Sequence, residues 1–193
     1  MAMKKLLLHT CCAPCSIVII DELKSQYDLT VFFFNPNIHP VEEYLKRKKE
    51  VIRVCKEWDV KIIDMEKISS SSPSRGELID YGQEEWSEAI KGFEDEPEGG
   101  LRCPKCFYLR LHKSVEYSKE NNFDIFSTTL TSGRNKKIEI IGGICERLGE
   151  KYGIKFLAED WKKGGRQEKG KKMVEERGIY RQDYCGCVYS RNN

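Results

Sequence analysis

The amino-acid sequence predicts a doubly wound α/β domain with five parallel strands and a smaller, mostly helical insertion over about residues 66–121. Three observations predict it. Short apolar, β-rich runs alternate with segments of helical periodicity. Three such runs and two intervening helices fit within the first 65 residues, a spacing that suits right-handed crossovers between parallel strands. The first run ends in a cysteine-rich turn that opens a helix, and open α/β sheets bind ligands at such turns.

Lys5–His9 reads as the first strand around Leu6-Leu7-Leu8. Ala13 to about Ser25 reads as a helix, with Pro14 tolerated in its first turn. Thr30–Phe34 is a continuous apolar run, as a strand buried on both faces requires. Two prolines and two asparagines make Asn35–Pro40 a loop. A helix follows from Val41 to about Trp58, with Tyr44, Leu45, Val51, Ile52 and Cys55 as its apolar stripe, and Val60–Asp64 is the third strand. Ser69–Ser74 reads as a mobile serine-rich linker. Glu77–Glu98 carries nine acidic residues against one lysine, with Trp86, Ala89, Ile90 and Phe93 at helical spacing. Pro104 opens a helix to about Glu120, Asp124–Thr129 is the fourth strand, Lys136 to about Leu148 a helix, and Ile154–Leu157 the fifth strand. Trp161–Gly178 is basic, with seven Lys or Arg against three Glu.

A chain of 193 residues suits a single domain spanning 1–193, and 39% hydrophobic with 33% charged residues excludes a disordered one. A net charge of only +2 means that any affinity for nucleic acid must come from local patches. No apolar run approaches the roughly 20 residues of a membrane span, so no membrane partner is expected. The segment after Met1 has too few apolar residues for a signal-peptide core, so the expectation is a cytoplasmic protein. Thiols stay reduced there, and an odd count of nine points to metal or redox chemistry rather than disulfides.

Seven of the nine thiols fall in three groups: Cys11-Cys12-x-x-Cys15, Cys103-x-x-Cys106 and Cys185-Gly-Cys187. Cys-x-x-Cys at a helix start lets two thiolates face one metal, while the helix dipole favours the ionised form. Each pair alone also fits a thioredoxin-like redox motif. Together the three groups favour a shared metal site. A structural zinc closes with four ligands, whereas seven thiols suit a 4Fe–4S cluster with up to three left for a second metal. Cys55 and Cys145 sit on amphipathic helices and read as buried structural thiols. His9 ends the first strand beside the thiols as either a proton carrier or a strand-end histidine bonded to backbone, and His39 faces the same sheet edge.

Four ordered motifs, His9-x-Cys-Cys-Ala-Pro-Cys15, Glu98-Gly-Gly-Leu-Arg-Cys-x-x-Cys-Phe-x-x-Arg110, Thr128-Thr-Leu-x-Ser132 and Tyr180-Arg-Gln-Asp-Tyr-Cys-Gly-Cys-x-x-Ser190, resemble the QueH family of epoxyqueuosine reductases over about residues 5–190. The resemblance implies an adenine-nucleotide α-hydrolase type of fold, a 4Fe–4S cluster with an additional mononuclear iron, and a tRNA substrate whose wobble epoxyqueuosine is reduced to queuosine. An electron donor is implied as well. The fold's ATP-using tRNA-thiolation relatives carry a Ser-Gly-Gly phosphate loop after the first strand; here Cys11–Cys15 takes that place without glycine, which argues against ATP.

On this reading the candidate cluster ligands are Cys11, Cys12, Cys103 and Cys106, and the wider metal set adds Cys15, Cys185, Cys187 and Asp183. Asp183 is a hard ligand or an acid, with Tyr184 and His9 as alternative proton sources. Candidate tRNA contacts are Arg102, Arg110, Lys162, Lys163, Arg166, Tyr180 and Arg181; Arg102, Arg110 and Arg181, within four residues of the thiols, could instead tune the cluster, and Tyr180 and Tyr184 could stack on an extruded base. The rival readings are an ATP-dependent tRNA sulfur-transfer enzyme on the same fold and a zinc-stabilised RNA-binding module.

Overall fold

The computed structural model describes residues 2–69, 78–133 and 136–190. In chain order the elements are β1 (Lys5–His9), α1 (Ala13–Leu23), β2 (Asp28–Phe33), α2 (Val41–Glu57), β3 (Lys61–Asp64), β4 (Lys67–Ser69), β5 (Leu78–Asp80), α3 (Gln83–Ala89), α4 (Arg102–Glu120), β6 (Ile125–Thr128), α5 (Ile138–Tyr152), β7 (Lys155–Phe156) and α6 (Arg166–Glu176). Single 3-10 turns cover Thr129–Ser132 and Val188–Ser190.

Five strands form one parallel sheet in the order β3-β2-β1-β6-β7. β1 lies at its centre, with Leu7 opposite Thr30 of β2 and Phe126 of β6. Side chains alternate across a strand. Leu6, Leu8, Leu29, Val31 and Phe33 therefore enter one core with α1, α2 and α6. Leu7, Phe32 and Phe126 enter the opposite core with α4 and α5. This is why the β1 and β2 sequences are apolar at nearly every position instead of alternating. Each such side chain contributes roughly 1.5–3 kcal/mol when fully withdrawn from water.

After β3 the chain leaves the sheet edge, crosses through β4, β5, α3 and α4, and re-enters beside β1 as β6. The strand order thus reverses between β1 and β6, and the carboxyl ends of these two strands flank the crevice of the fold. The Cys11–Cys15 turn leaves one side of that crevice and the Thr129–Ser132 turn the other.

Several elements differ from the sequence expectation. β4 and β5 form an antiparallel hairpin that no periodicity announced, and the expected serine-rich linker lies, from residue 70 onward, outside the described residues. The acidic segment yields only the short α3, with Trp86 buried; beyond Ala89 the chain runs through turns. The basic segment forms α6, which packs on α1 while burying only Gly170 and Val174, too few for a visible stripe. The stripe of α2 is also displaced. Leu45 is 41% exposed, while Arg47 and Lys48 are buried beside Tyr44, Val51, Val54 and Cys55. Cys55 and Cys145 lie wholly inside the two cores, and burial pushes the Cys55 thiol up to about 12.

Gly149 of α5 sits against the start of β7. A Cβ there would come within 2.7 Å of the Ile154 carbonyl oxygen. Helix propensity alone favours alanine over glycine by about 1 kcal/mol. The backbone clash should outweigh that gain: Gly149→Ala is expected to destabilise the chain by about 1–3 kcal/mol in urea unfolding, whereas a neutral or stabilised variant would show that α5 and β7 can separate freely.

Candidate metal centre

β1 ends at His9, and α1 begins four residues later with Cys12 as its N-cap in extended conformation and Pro14 in the first turn. This brings the sulfur atoms of Cys11, Cys12 and Cys15 within 4.8 Å of one another, with Cys11 and Cys12 Sγ 3.8 Å apart. Hydrogen bonds from the Cys12 and Cys15 thiols hold Cys11 well below the ordinary thiol range, and Lys136 and Arg110 act in the same direction. Sharing with Cys11 correspondingly pushes Cys12 up, and Cys15 to about 11. The three sulfurs thus share hydrogen bonds at a helix N-terminus, where the helix dipole favours a thiolate.

The Thr129–Ser132 turn after β6 packs against this triad. Thr129 Oγ1 lies 3.8 Å from Cys11 Sγ, and the Ser132 hydroxyl donates to the Cys15 carbonyl at 3.1 Å. From the C-terminal segment, Gln182 Nε2 donates to Cys12 Sγ at 2.9 Å. Asn35 Nδ2 donates to the Thr10 carbonyl at 2.9 Å, and Asn35 Oδ1 accepts from Arg110 Nη2 at 2.5 Å.

The other four thiols line one cavity. Cys103 and Cys106 come from the first turns of α4, and Cys185 and Cys187 from the C-terminal segment. The Gly99 amide donates to Cys103 Sγ at 3.2 Å; the Cys187 amide approaches Cys185 Sγ at 3.4 Å, and Ser190 Oγ lies 3.2 Å from it. The Cys187 thiol, together with the Ser190 hydroxyl, lowers Cys185 to about 6, while Cys187 is pushed up by the same bond. Arg102, Arg110 and Lys136 line the same cavity. Burial works against the Lys136 ammonium, yet Cys11, Cys15 and Cys185 hold its pKa above the ordinary value, so this lysine stands between the two thiol groups. All nine cysteines are free thiols.

A clamp fixes the C-terminal segment. Arg47, 2% exposed, donates from Nε to Glu43 Oε1 at 2.6 Å, from Nη1 to the Cys185 carbonyl at 2.9 Å and from Nη2 to the Tyr184 carbonyl at 3.1 Å. Its guanidinium also lies over the Tyr184 ring. The Tyr184 hydroxyl donates to the His39 carbonyl at 2.5 Å, and the His39 amide donates to the Gly186 carbonyl at 2.8 Å. Gly186 has φ +110°, and a Cβ there would lie 2.8 Å from Ile38 Cγ1, so only glycine permits this close passage between the two thiols.

The structure places the sequence-derived candidates unequally. It brings the seven thiols into two groups, Cys11, Cys12 and Cys15 after β1 and Cys103, Cys106, Cys185 and Cys187 around one cavity, with Lys136 acting on both. His9 is wholly buried: Nε2 faces the Phe34 carbonyl at 3.2 Å and must carry the proton, and Nδ1 accepts from the Thr128 hydroxyl at 2.9 Å. Burial and Arg110 hold it neutral, with a pKa of about 3. Asp183 and Arg181 are exposed on the C-terminal segment. Arg102 and Arg110, read from the sequence as tRNA contacts or cluster-tuning groups, are 1% and 2% exposed; Arg102 Nη1 donates to the carbonyls of Phe93, Glu94 and Glu96. Arg166 pairs with Glu22 and Glu159, Lys162 donates to the Lys136 carbonyl, Lys163 is exposed near Asp160, and Tyr180 donates to Glu43. Arg47, Lys136 and Gln182 were not singled out from sequence. Arg47 hides in the run Lys46–Lys49, which reads as a solvated helix face.

Removing one member of a buried ion pair strands the other. Arg47→Met should therefore cost about 3–5 kcal/mol of stability, and adding Glu43→Leu should restore part of it. Urea unfolding of the full chain measures both; a single variant as stable as the parent would remove the clamp from the account.

Three comparisons bear on this geometry. The family model described as epoxyqueuosine reductase QueH matches residues 6–193. The epoxyqueuosine reductase QueH of Histophilus somni is 40% identical over 188 residues, 96% of this chain and 72% of that protein. The Thermotoga maritima protein of the same name is 34% identical, over 97% of this chain and 91% of that protein. Among solved structures, the U34-tRNA thiolase NcsA from Methanococcus maripaludis with its [4Fe-4S] cluster superposes with a TM-score of 0.56 at 13% identity, over 98% of this chain and 62% of that one, which establishes a shared fold. With a match over nearly its whole length, the chain belongs to the epoxyqueuosine reductase QueH family.

Proposed function

We propose that this chain reduces the epoxide of epoxyqueuosine in tRNA to the alkene of queuosine, using a 4Fe–4S cluster and a second, mononuclear iron held by its seven grouped thiols. The observation that carries the reading is the convergence of thiols from three distant segments, with buried cations, at the crevice between β1 and β6. The residues present fit an anionic metal–sulfur group. Soft thiolates are its ligands. Arg102 Nε and Nη2 and Arg110 Nε are buried donors without a partner among the described residues, and both arginines line the thiol cavity. Buried charge left uncompensated is strongly unfavourable, and an anionic group among these cations supplies the balance.

Opening the epoxide to an alkene and water consumes two electrons and two protons. When bound, the metal group supplies one-electron transfer and a Lewis acid for the oxygen. The chain supplies the rest. Four thiols serve the cluster, and those remaining, with Asp183 as a hard oxygen ligand or acid, serve the second iron. Asp183 is exposed beside Gln182, which bonds Cys12, so it can exchange protons with water. His9, with both ring nitrogens engaged, holds the ends of β1 and β6 in register rather than shuttling a proton. Exposed Arg181 and Lys163 are available for phosphates, while Arg102 and Arg110 serve the cavity. Electrons come from a separate reductant in the cytoplasm, where modified tRNA is met. Nothing in the Cys11–Cys15 turn offers the glycine-rich phosphate cradle that ATP chemistry on this fold would use.

The test is anaerobic incubation of the iron-loaded chain with tRNA carrying epoxyqueuosine and a chemical reductant, read by mass spectrometry of the nucleosides. Loss of one oxygen from the modified base is expected. ATP-dependent gain of sulfur by the tRNA instead would overturn the reading. Cys103→Ala and Cys185→Ala should each lose bound iron and at least 100-fold in rate. Asp183→Asn should keep the cluster absorbance and lose at least 10-fold.

A further inference from the structure

Trp86 is the one buried residue of α3 and packs with Ile90, Cys106 and Cys187 in a small cluster beside Cys185. It lines the four-thiol cavity. Its ring is flanked by His39, with centroids 5.2 Å apart, and by Tyr189, stacked at 6.3 Å. These neighbours fix the ring plane. The indole Nε1–H is buried and has no acceptor among the described residues.

An indole nitrogen is a donor only, and burying it without an acceptor costs about 1–3 kcal/mol. Trp161 shows the ordinary solution, its Nε1 donating to the Thr128 carbonyl at 3.1 Å. A phenylalanine at position 86 would offer an aromatic face to the same neighbours without the unsatisfied group. The sole polar atom of Trp86 therefore requires an acceptor that the described residues do not provide, in a cavity lined by four thiols. Arg102 and Arg110 bring charge to the same cavity; Trp86 brings a neutral donor whose removal leaves the net charge unchanged.

We infer that the Trp86 indole N–H donates a hydrogen bond to a sulfur of the metal–sulfur group at the cavity lined by Cys103, Cys106, Cys185 and Cys187, and that it is a positioning residue setting the reduction potential of that group. The inference rests on the reading of the thiols as iron ligands. A hydrogen bond to sulfur gains strength as electron density on the sulfur rises, so it stabilises the reduced state and raises the potential.

The experiment compares anaerobically reconstituted full-length wild type and Trp86→Phe. Iron and sulfide counts are measured first, then the midpoint potential by an EPR-monitored redox titration. Equal metal content with a more negative midpoint in Trp86→Phe is expected. Equal metal content with an unchanged midpoint overturns the inference and leaves the proposed function standing. A wild-type chain that binds no iron and sulfide overturns both. Should Trp86→Phe fail to fold, the wild type carrying indole-15N tryptophan decides: pulsed EPR of its reduced state should show coupling to an indole nitrogen, and no coupling overturns the inference.

Discussion

Charge balance in a buried volume is the constraint on which the rest of this structure depends. Arg47, Arg102 and Arg110 are withdrawn almost completely from water, and Lys136 faces thiols of both groups. Arg47 is ion-paired with Glu43. Hydrogen bonds to carbonyls and to Asn35 orient the other two guanidiniums, which line the thiol cavity together with Lys136 and Glu98. Thiolates gathered around the proposed metal–sulfur group would provide compensating charge, which ties the site to its surrounding arginines. The chain's modest net charge of +2 conceals this local arrangement.

The fold explains why the unit sits where it does. Strand order reverses between β1 and β6, so backbone amides and side chains from both turns face a common crevice. The turn after β1 holds three thiols, and the turn after β6 supplies Thr129 and Ser132 against them. The remaining thiols arrive from outside the sheet. α4 delivers Cys103 and Cys106 on a helix anchored in the second core by Phe107, Leu111 and Val115. The C-terminal segment delivers Cys185 and Cys187 with no regular structure of its own, held instead by Arg47, Tyr184 and the close passage of Gly186. Sheet hydrogen bonds position the first group, helix packing the second and side-chain clamps the third.

How much of this could be read from the residues follows from the same physics. β1 and β2 are legible because strands buried on both faces must be apolar nearly throughout, and β3, a half-buried edge strand, from its Ile62-Ile63 pair; their bounds are off by at most two residues. The parallel order follows from the βαβ spacing. The thiol groups are legible because cysteine is chemically distinctive. Arg47 is not, since a cation inside a Lys-Arg-Lys-Lys run has the signature of a solvated face; only tertiary contact with Glu43 and two carbonyls turns it inward. For Arg102 and Arg110 the residues left two roles open, tRNA contact or tuning of the cluster, and only their burial beside the thiols favours the second. α6 escaped because its packing on α1 uses Gly170 against Val18, an approach that leaves no hydrophobic pattern. Trp86 was read as ordinary helix packing, and its unsatisfied N–H is visible only in three dimensions.

The central claim is that thiols of three segments hold iron and sulfide in one charge-balanced centre. Mössbauer spectroscopy of the anaerobically loaded chain, with iron, zinc and sulfide counted on the same sample, tests it most directly. The account predicts sulfide bound together with iron in excess of it, and a spectrum with a thiolate-ligated cluster component beside a mononuclear one. Stoichiometric zinc with no sulfide in a folded, anaerobically prepared chain would contradict it.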